Sequence, residues 1–247
     1  MALRNGEFLF REMVHDGRVL RSHKDGVSRI RGYLEDYAAV ALGALALYEL
    51  TFERGWLDHA RSLADAIARW FWDDKSEVLY DTAHDHEQLV TRPRDVTDNA
   101  TPAGASLAID LFLRLGDLLG DAELTRKAGT TLASIAEPMT RHPLAFGFAL
   151  TASDLVVNGA VEVAIVGDPA AAGFRSLERA LGERYVPSLV TAGGSPANDV
   201  ELLKGRTTQN GSSTAYVCKG YVCKQPVTTP EALDRQLEPL TRPGTRP

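Results

Sequence analysis

Hydrophobic and polar positions change their period twice along this chain, and the changes mark out its elements. Residues 3–14 set Leu3, Phe8, Leu9, Met13 and Val14 among charges, which predicts a short helix ended by the turn His15-Asp16-Gly17. Residues 18–33 alternate basic and apolar positions around Asp25-Gly26 and predict a loop or hairpin. From Leu34 to Leu50 almost no polar face remains, the mark of a helix buried on most sides. From Trp56 to Trp72 apolar residues recur at helical spacing and Arg61, Asp65 and Arg69 interrupt them, so this helix keeps one wet face.

The pairing then recurs. Residues 102–119 are the buried type, with Thr101 placed as a cap and Pro102 suited to the first turn. Residues 122–137 are the amphipathic type, with Pro138 as the expected stop. A shift of 68 positions aligns Leu47 with Leu115, Leu50 with Leu118, Ala60 with Ala128 and Ile67 with Ile135. That is an internal repeat of helical hairpins. A further apolar helix spans about 143–157, from Pro143 to the stop Asn158-Gly159.

After Gly159 the period becomes that of strands. Val161, Val163, Ile165 and Val166 form a β-branched run closed by Gly167-Asp168-Pro169. A helix at 173–184, a strand at 188–191, a polar loop at 192–213, a strand at 215–223 and a helix at 230–238 complete the chain. The expected class is mainly α: a partial (α/α) toroid of about five or six helices over 1–159, then a small α/β segment over 160–247.

Charge narrows the function classes. The 247 residues carry 27 basic and 33 acidic side chains, a net charge of −6. Residues 206–247 are net +3, leaving −9 on the remainder, which argues against non-specific nucleic-acid binding. No run of about 18 uncharged apolar residues predicts a membrane span, and MALRNGEFLF lacks the apolar core of a signal peptide. The expectation is a cytoplasmic protein. Two cysteines make no disulfide framework.

Candidate chemistry sits at the helix starts and in the long connection 73–100. Glu35 and Asp36 open the first buried helix, and Asp98 with Asn99 precedes the second. Two readings stand: acids favouring the positive end of a helix, or carboxylates at the mouth of a toroid that bind or protonate a polar ligand. His84, Asp85, His86 and Glu87 read as a solvated loop, and no metal site is expected. Gly167-Asp168-Pro169 lacks a glycine-rich phosphate loop, so no cofactor is expected. Cys218 and Cys223 read as structural thiols, with a redox pair as the alternative. Strand spacing would send them to opposite faces unless a turn intervenes.

Several stretches together resemble a known family. They are DGRVLRSHKDG at 16–26, GYLEDYA at 32–38, FWDDKSEVLYDT at 71–82, RPRDVTDNATPAGAS at 92–106, VEVAIVGDP at 161–169 and AYVCKGYVCKQPVTTPEAL at 215–233. The chain resembles the C-terminal part of the large thioredoxin-domain-containing proteins of the spermatogenesis-associated type. The resemblance implies a six-hairpin, glycosidase-like (α/α) toroid related to N-acylglucosamine 2-epimerases, and thus a small carbohydrate-type ligand. It carries over catalytic candidates Glu35, Asp36 and Asp98, and ligand-binding candidates Tyr37, Asp81, Thr82, Thr101 and Ser106. Cys218 and Cys223 also fall on its motifs. The sequence departs from the family pattern at Glu77 and Val78, and at Asn99, Ala103 and Ala105. A closed toroid needs twelve helices. The alternative expectation is therefore a non-catalytic truncated or split gene product that self-associates or takes its missing N-terminal half from another chain. A redox accessory protein using Cys218 and Cys223 is the remaining alternative.

Overall fold

A computed structural model describes residues 1–87, 90–195, 200–220 and 222–240. About half of the chain is helical, in eight α-helices among the described residues, with nine short strands in three sheets. The fold is mainly α with an α/β part. The chain divides into two compact units.

The first unit holds residues 1–116 and 122–153. Helix α1 (Ala2–Glu12) leads into a meander of β1 (Val14–His15), β2 (Arg18–Lys24) and β3 (Val27–Arg31). The β2–β3 turn is Asp25-Gly26, both at positive φ, with Lys24 facing Val27. Helices α2 (Leu34–Thr51) and α3 (Arg54–Trp70) form a hairpin around Phe52, which takes φ 53° to end α2. Tyr37, Ala41, Leu45 and Tyr48 of α2 and Leu57, Ala60, Leu63 and Ile67 of α3 are buried. Each large side chain so buried contributes about 1.5–3 kcal/mol.

The connection after α3 is not all loop. Trp72–Asp73 (β4) pairs with Val78–Leu79 (β5), with Glu77 at φ 52°. Helix α4 runs Gly104–Leu119 and α5 runs Ala122–Arg141. The 68-residue shift therefore maps α2 onto α4 and α3 onto α5. Ala60, Ala128, Ile67, Ile135, Leu115 and Leu118 are all buried, whereas Leu50 is 60% exposed, so the repeat is imperfect there. Pro138 does not stop α5; it lies inside its last turns, and the His142 amide still bonds the Pro138 carbonyl. A proline inside a helix removes one donor and crowds the carbonyl four residues earlier, a cost of about 3 kcal/mol, and α5 bears it and continues to Arg141. Pro143 opens a single 3-10 turn, and helix α6 begins only at Gly147 and runs to Asn158.

The second unit holds residues 117–121 and the described residues from Asp154 onward. Strand β6 (Val161–Val166) lies between parallel β7 (Leu189–Gly194) and antiparallel β8 (Thr214–Lys219). Its near-continuous apolar run follows from that central position, buried on both faces. Helix α7 (Ala172–Gly182) makes the crossover between the parallel strands. The single strand expected at 215–223 is two. A hairpin at Gly220 (φ 56°) folds β9 (Val222–Cys223) back onto β8, because the glycine supplies the left-handed turn. The expected loop 192–213 starts later, since β7 runs to Gly194, and residues 196–199 of it lie outside the described ones. Helix α8 (Pro230–Leu237) is capped by Thr229, whose hydroxyl accepts from the Ala232 amide at 3.3 Å.

Candidate ligand pocket

Four segments of the first unit converge on one pocket of about 180 Å³. They are the start of α2, the residues after β5, the stretch 95–99 and the entry to α4. Tyr33, Glu35, Asp81, Asp95, Thr97 and Thr101 give the pocket its polar and aromatic character, with Asn99, Pro102, Ala103 and Gly104 completing the lining.

Backbone contacts set this convergence. The Leu34 amide donates to the Asp81 carbonyl at 2.9 Å, and the Asp81 amide donates to the Pro93 carbonyl at 3.0 Å. Gly104 is required by close approach. A Cβ there would stand 2.8 Å from the Glu35 backbone nitrogen and 3.0 Å from Leu34 Cγ. The first turns of α2 and α4 can therefore meet only because position 104 lacks a side chain.

The acids differ in surroundings. Glu35 and Asp36 share Arg21, whose Nη1 lies 2.6 Å from Glu35 Oε1 and 2.9 Å from Asp36 Oδ2. Asp36 also accepts from the Tyr33 amide at 2.8 Å, which makes it a cap of α2. Asp81 is half-buried, and one carboxylate oxygen accepts from the Asp95 amide at 2.7 Å. Burial pushes its carboxyl above the ordinary range, and the neighbouring Asp95 and Glu35 charges push the same way, against the Asp95 amide and Arg94. Asp95 moves the opposite way: its carboxylate accepts from the Thr97 amide at 3.0 Å and the Thr97 hydroxyl at 2.7 Å, which hold it low. The pocket thus pairs a carboxyl that favours its proton with one that favours its charge. The Tyr33 ring carries the Arg21 guanidinium 5.1 Å from its centroid.

The other expected site residues lie elsewhere. Asp98 does not line the pocket. Its Oδ1 accepts from the Ala103 amide at 2.9 Å, and its Oδ2 accepts from Phe148 and Ala149 at 2.8 and 3.1 Å. It therefore braces the entries of α4 and α6. Tyr37 is a core residue, 1% exposed, edge-on to Phe71 with ring centroids 4.9 Å apart. Ser106 is fully buried, and its hydroxyl has no hydrogen-bond partner among the described residues. Thr82 belongs to a neighbouring pocket with His84, His86 and Arg92, and its carbonyl accepts from Arg92 Nε at 3.0 Å. No cluster of three or more His, Cys, Asp or Glu able to hold a metal exists among the described residues. Cys218 and Cys223 are cross-strand partners joined as a disulfide, because the Gly220 turn intervenes.

Sequence reasoning missed Tyr33 as a site residue, although it lies one residue before α2 and inside the GYLEDYA stretch at 32–38. It also missed a buried charge group away from the pocket. Asp110 and Arg114 of α4 pair at 3.0 Å, and Glu49 of α2 lies near both. Burial pushes the Glu49 carboxyl up to about 7, with Arg114 opposing and Asp110 reinforcing. The readable signal was polar residues four apart inside an otherwise apolar helix.

No helix of the described residues is long and apolar enough to cross a membrane. No family model matches the chain. The chain is 29% identical over 255 residues to human spermatogenesis-associated protein 20, covering 96% of this chain and 32% of that protein. Against the rat protein of the same name it is 30% identical over 213 residues, 83% of this chain and 27% of that one. An uncharacterized protein of Caenorhabditis elegans is 24% identical over 214 residues, 85% of this chain and 29% of its own length. The chain is therefore homologous to part of spermatogenesis-associated protein 20, spanning about three tenths of the length of these relatives.

Proposed function

We propose that the first unit binds a small carbohydrate-type ligand in the Glu35–Asp81 pocket. The observation that carries this reading is the meeting of Glu35, Asp81 and Asp95 with Thr97, Asn99, Thr101 and the Tyr33 ring around one small cavity. Carboxylates and amide or hydroxyl groups on several sides, with one aromatic ring, suit a compact ligand bearing many hydroxyls. In this reading Asp81, with its raised affinity for a proton, is the general acid, and Glu35 accepts hydrogen bonds from the ligand. Asp36 and Asp98 position the helix starts. The repeated hairpins α2–α3 and α4–α5 support the further reading that this unit is part of an (α/α) toroid.

Isothermal titration with glucose, mannose and N-acetylglucosamine tests the proposal. At least one sugar should bind at millimolar concentration, and D81N and E35Q should each weaken it while leaving the fold intact. Asp81→Asn keeps an acceptor for the Asp95 amide, so loss of binding would report on the site rather than on folding. Absence of binding by all three sugars to the wild-type chain would count against the reading, as would binding unaffected by both substitutions.

A further inference from the structure

The disulfide of the second unit takes no part in the pocket, and its two sulfurs stand in unlike surroundings. Cys218 lies on β8 and is 2% exposed, while Cys223 is exposed on the two-residue edge strand β9. Arg206 Nη2 lies 3.4 Å from Cys218 Sγ. That guanidinium is mostly shielded, fixed by the Leu202 carbonyl and by Glu162 Oε2 at 3.9 Å. Lys224, next to Cys223, spends its ammonium on the Gln236 carbonyl at 2.7 Å. One cysteine is therefore exposed, and the other is buried beside a held cation.

Thiol–disulfide exchange depends on access to the attacked sulfur and on how readily the other leaves as a thiolate. A neighbouring arginine stabilises a thiolate. We propose that Cys218–Cys223 is a thiol–disulfide exchange site, opened by a dithiol reductant that attacks Cys223 and expels Cys218 as a thiolate facing Arg206. The reductant's thiolate forms a new S–S bond to Cys223 Sγ, and the electron pair of the broken bond leaves on Cys218 Sγ. The reductant's second thiolate then attacks its own sulfur in the mixed disulfide and releases Cys223 as a thiolate. The protein gains two electrons, and the reductant becomes an intramolecular disulfide. Reduction removes the covalent tie across the register pair Cys218–Cys223 and leaves β9 held to β8 by backbone pairing alone.

The test is on the full chain in its native state. Dithiothreitol should reduce the bond without denaturant, read as two maleimide additions by intact mass with an unchanged circular dichroism spectrum. Monothiol glutathione, quenched early, should be found by peptide mapping on Cys223, with Cys218 alkylated. Resistance to dithiothreitol until the chain is unfolded, or glutathione found on Cys218, overturns the proposal. R206Q should slow reduction by about threefold or more, and R206K should restore part of the rate. In C223S, iodoacetamide alkylation of Cys218 should have its pH midpoint below the ordinary value of about 8.5, and adding R206Q should raise it. An unchanged rate and midpoint in the R206Q variants overturns the role of Arg206. All of these readouts are independent of sugar binding in the first unit.

Discussion

Replacing Asp98 by alanine should destabilise the first unit through a defined set of lost bonds. One carboxylate accepts from three backbone amides: Ala103 at 2.9 Å, Phe148 at 2.8 Å and Ala149 at 3.1 Å. The last two are the second and third residues of α6, so Asp98 does the work of a helix cap from 50 positions away in the chain. All three bonds are partly buried, and truncation leaves each donor without its acceptor. At about 1 kcal/mol for each bond, the loss is ~3 kcal/mol. With a urea slope of ~2–3 kcal/mol/M, the midpoint should fall by about 1 M or more. Asp98→Asn keeps one carbonyl oxygen and should lose roughly half as much. Urea denaturation followed by circular dichroism measures both. A D98A midpoint within the equivalent of about 0.5 kcal/mol of wild type would refute the bracing role.

Gly104→Ala should destabilise by about 1–3 kcal/mol, because the new Cβ would press on the Glu35 backbone at 2.8 Å, and it should abolish any sugar binding; thermal melts and titration check both. Ser106→Ala should be neutral or stabilising by up to ~1 kcal/mol, since it removes a buried hydroxyl without a hydrogen-bond partner among the described residues; a clear loss of stability would show a partner. Glu49 binds its proton more tightly folded than unfolded, so its contribution is fully present below about 4.5 and is lost as pH rises towards about 7. Glu49→Gln should therefore flatten the stability–pH profile between those values, against the charges of Asp110 and Arg114 that face it, as urea midpoints across that range would report.

Local periodicity carried most of the element assignments. The apolar run of α2, the one-sided pattern of α3 and the β-branched run of β6 are properties of neighbouring residues, so they are legible without a partner in space. The 68-residue repeat is legible for the same reason, and it maps α2 and α3 onto α4 and α5. Pro138 does not stop α5, because a proline kinks a helix as readily as it ends one and the residues after it keep their bonds, as His142 does to the Pro138 carbonyl. The strand at 215–223 was misread because the weight of Gly220 against its β-forming neighbours is set by the pairing of β8 with β6.

The candidate site was half legible. Glu35 and Asp81 were readable as acids at suggestive places, but sequence could not say that Asp81 would come to the start of α2 while Asp98 would not. That sorting rests on bonds such as the Leu34 amide to the Asp81 carbonyl and the Phe148 amide to the Asp98 carboxylate, which join residues about 50 positions apart. The same holds for the sulfurs, whose pairing needed a turn, and for Arg206, brought beside Cys218 from 12 positions away. The sequence by itself determined the helical hairpins, the change to an α/β segment and the inventory of acids. The tertiary structure alone decided which acids brace helix ends and which face a cavity, because a carboxylate's role depends on the donors and the burial around it, and those come from distant parts of the chain.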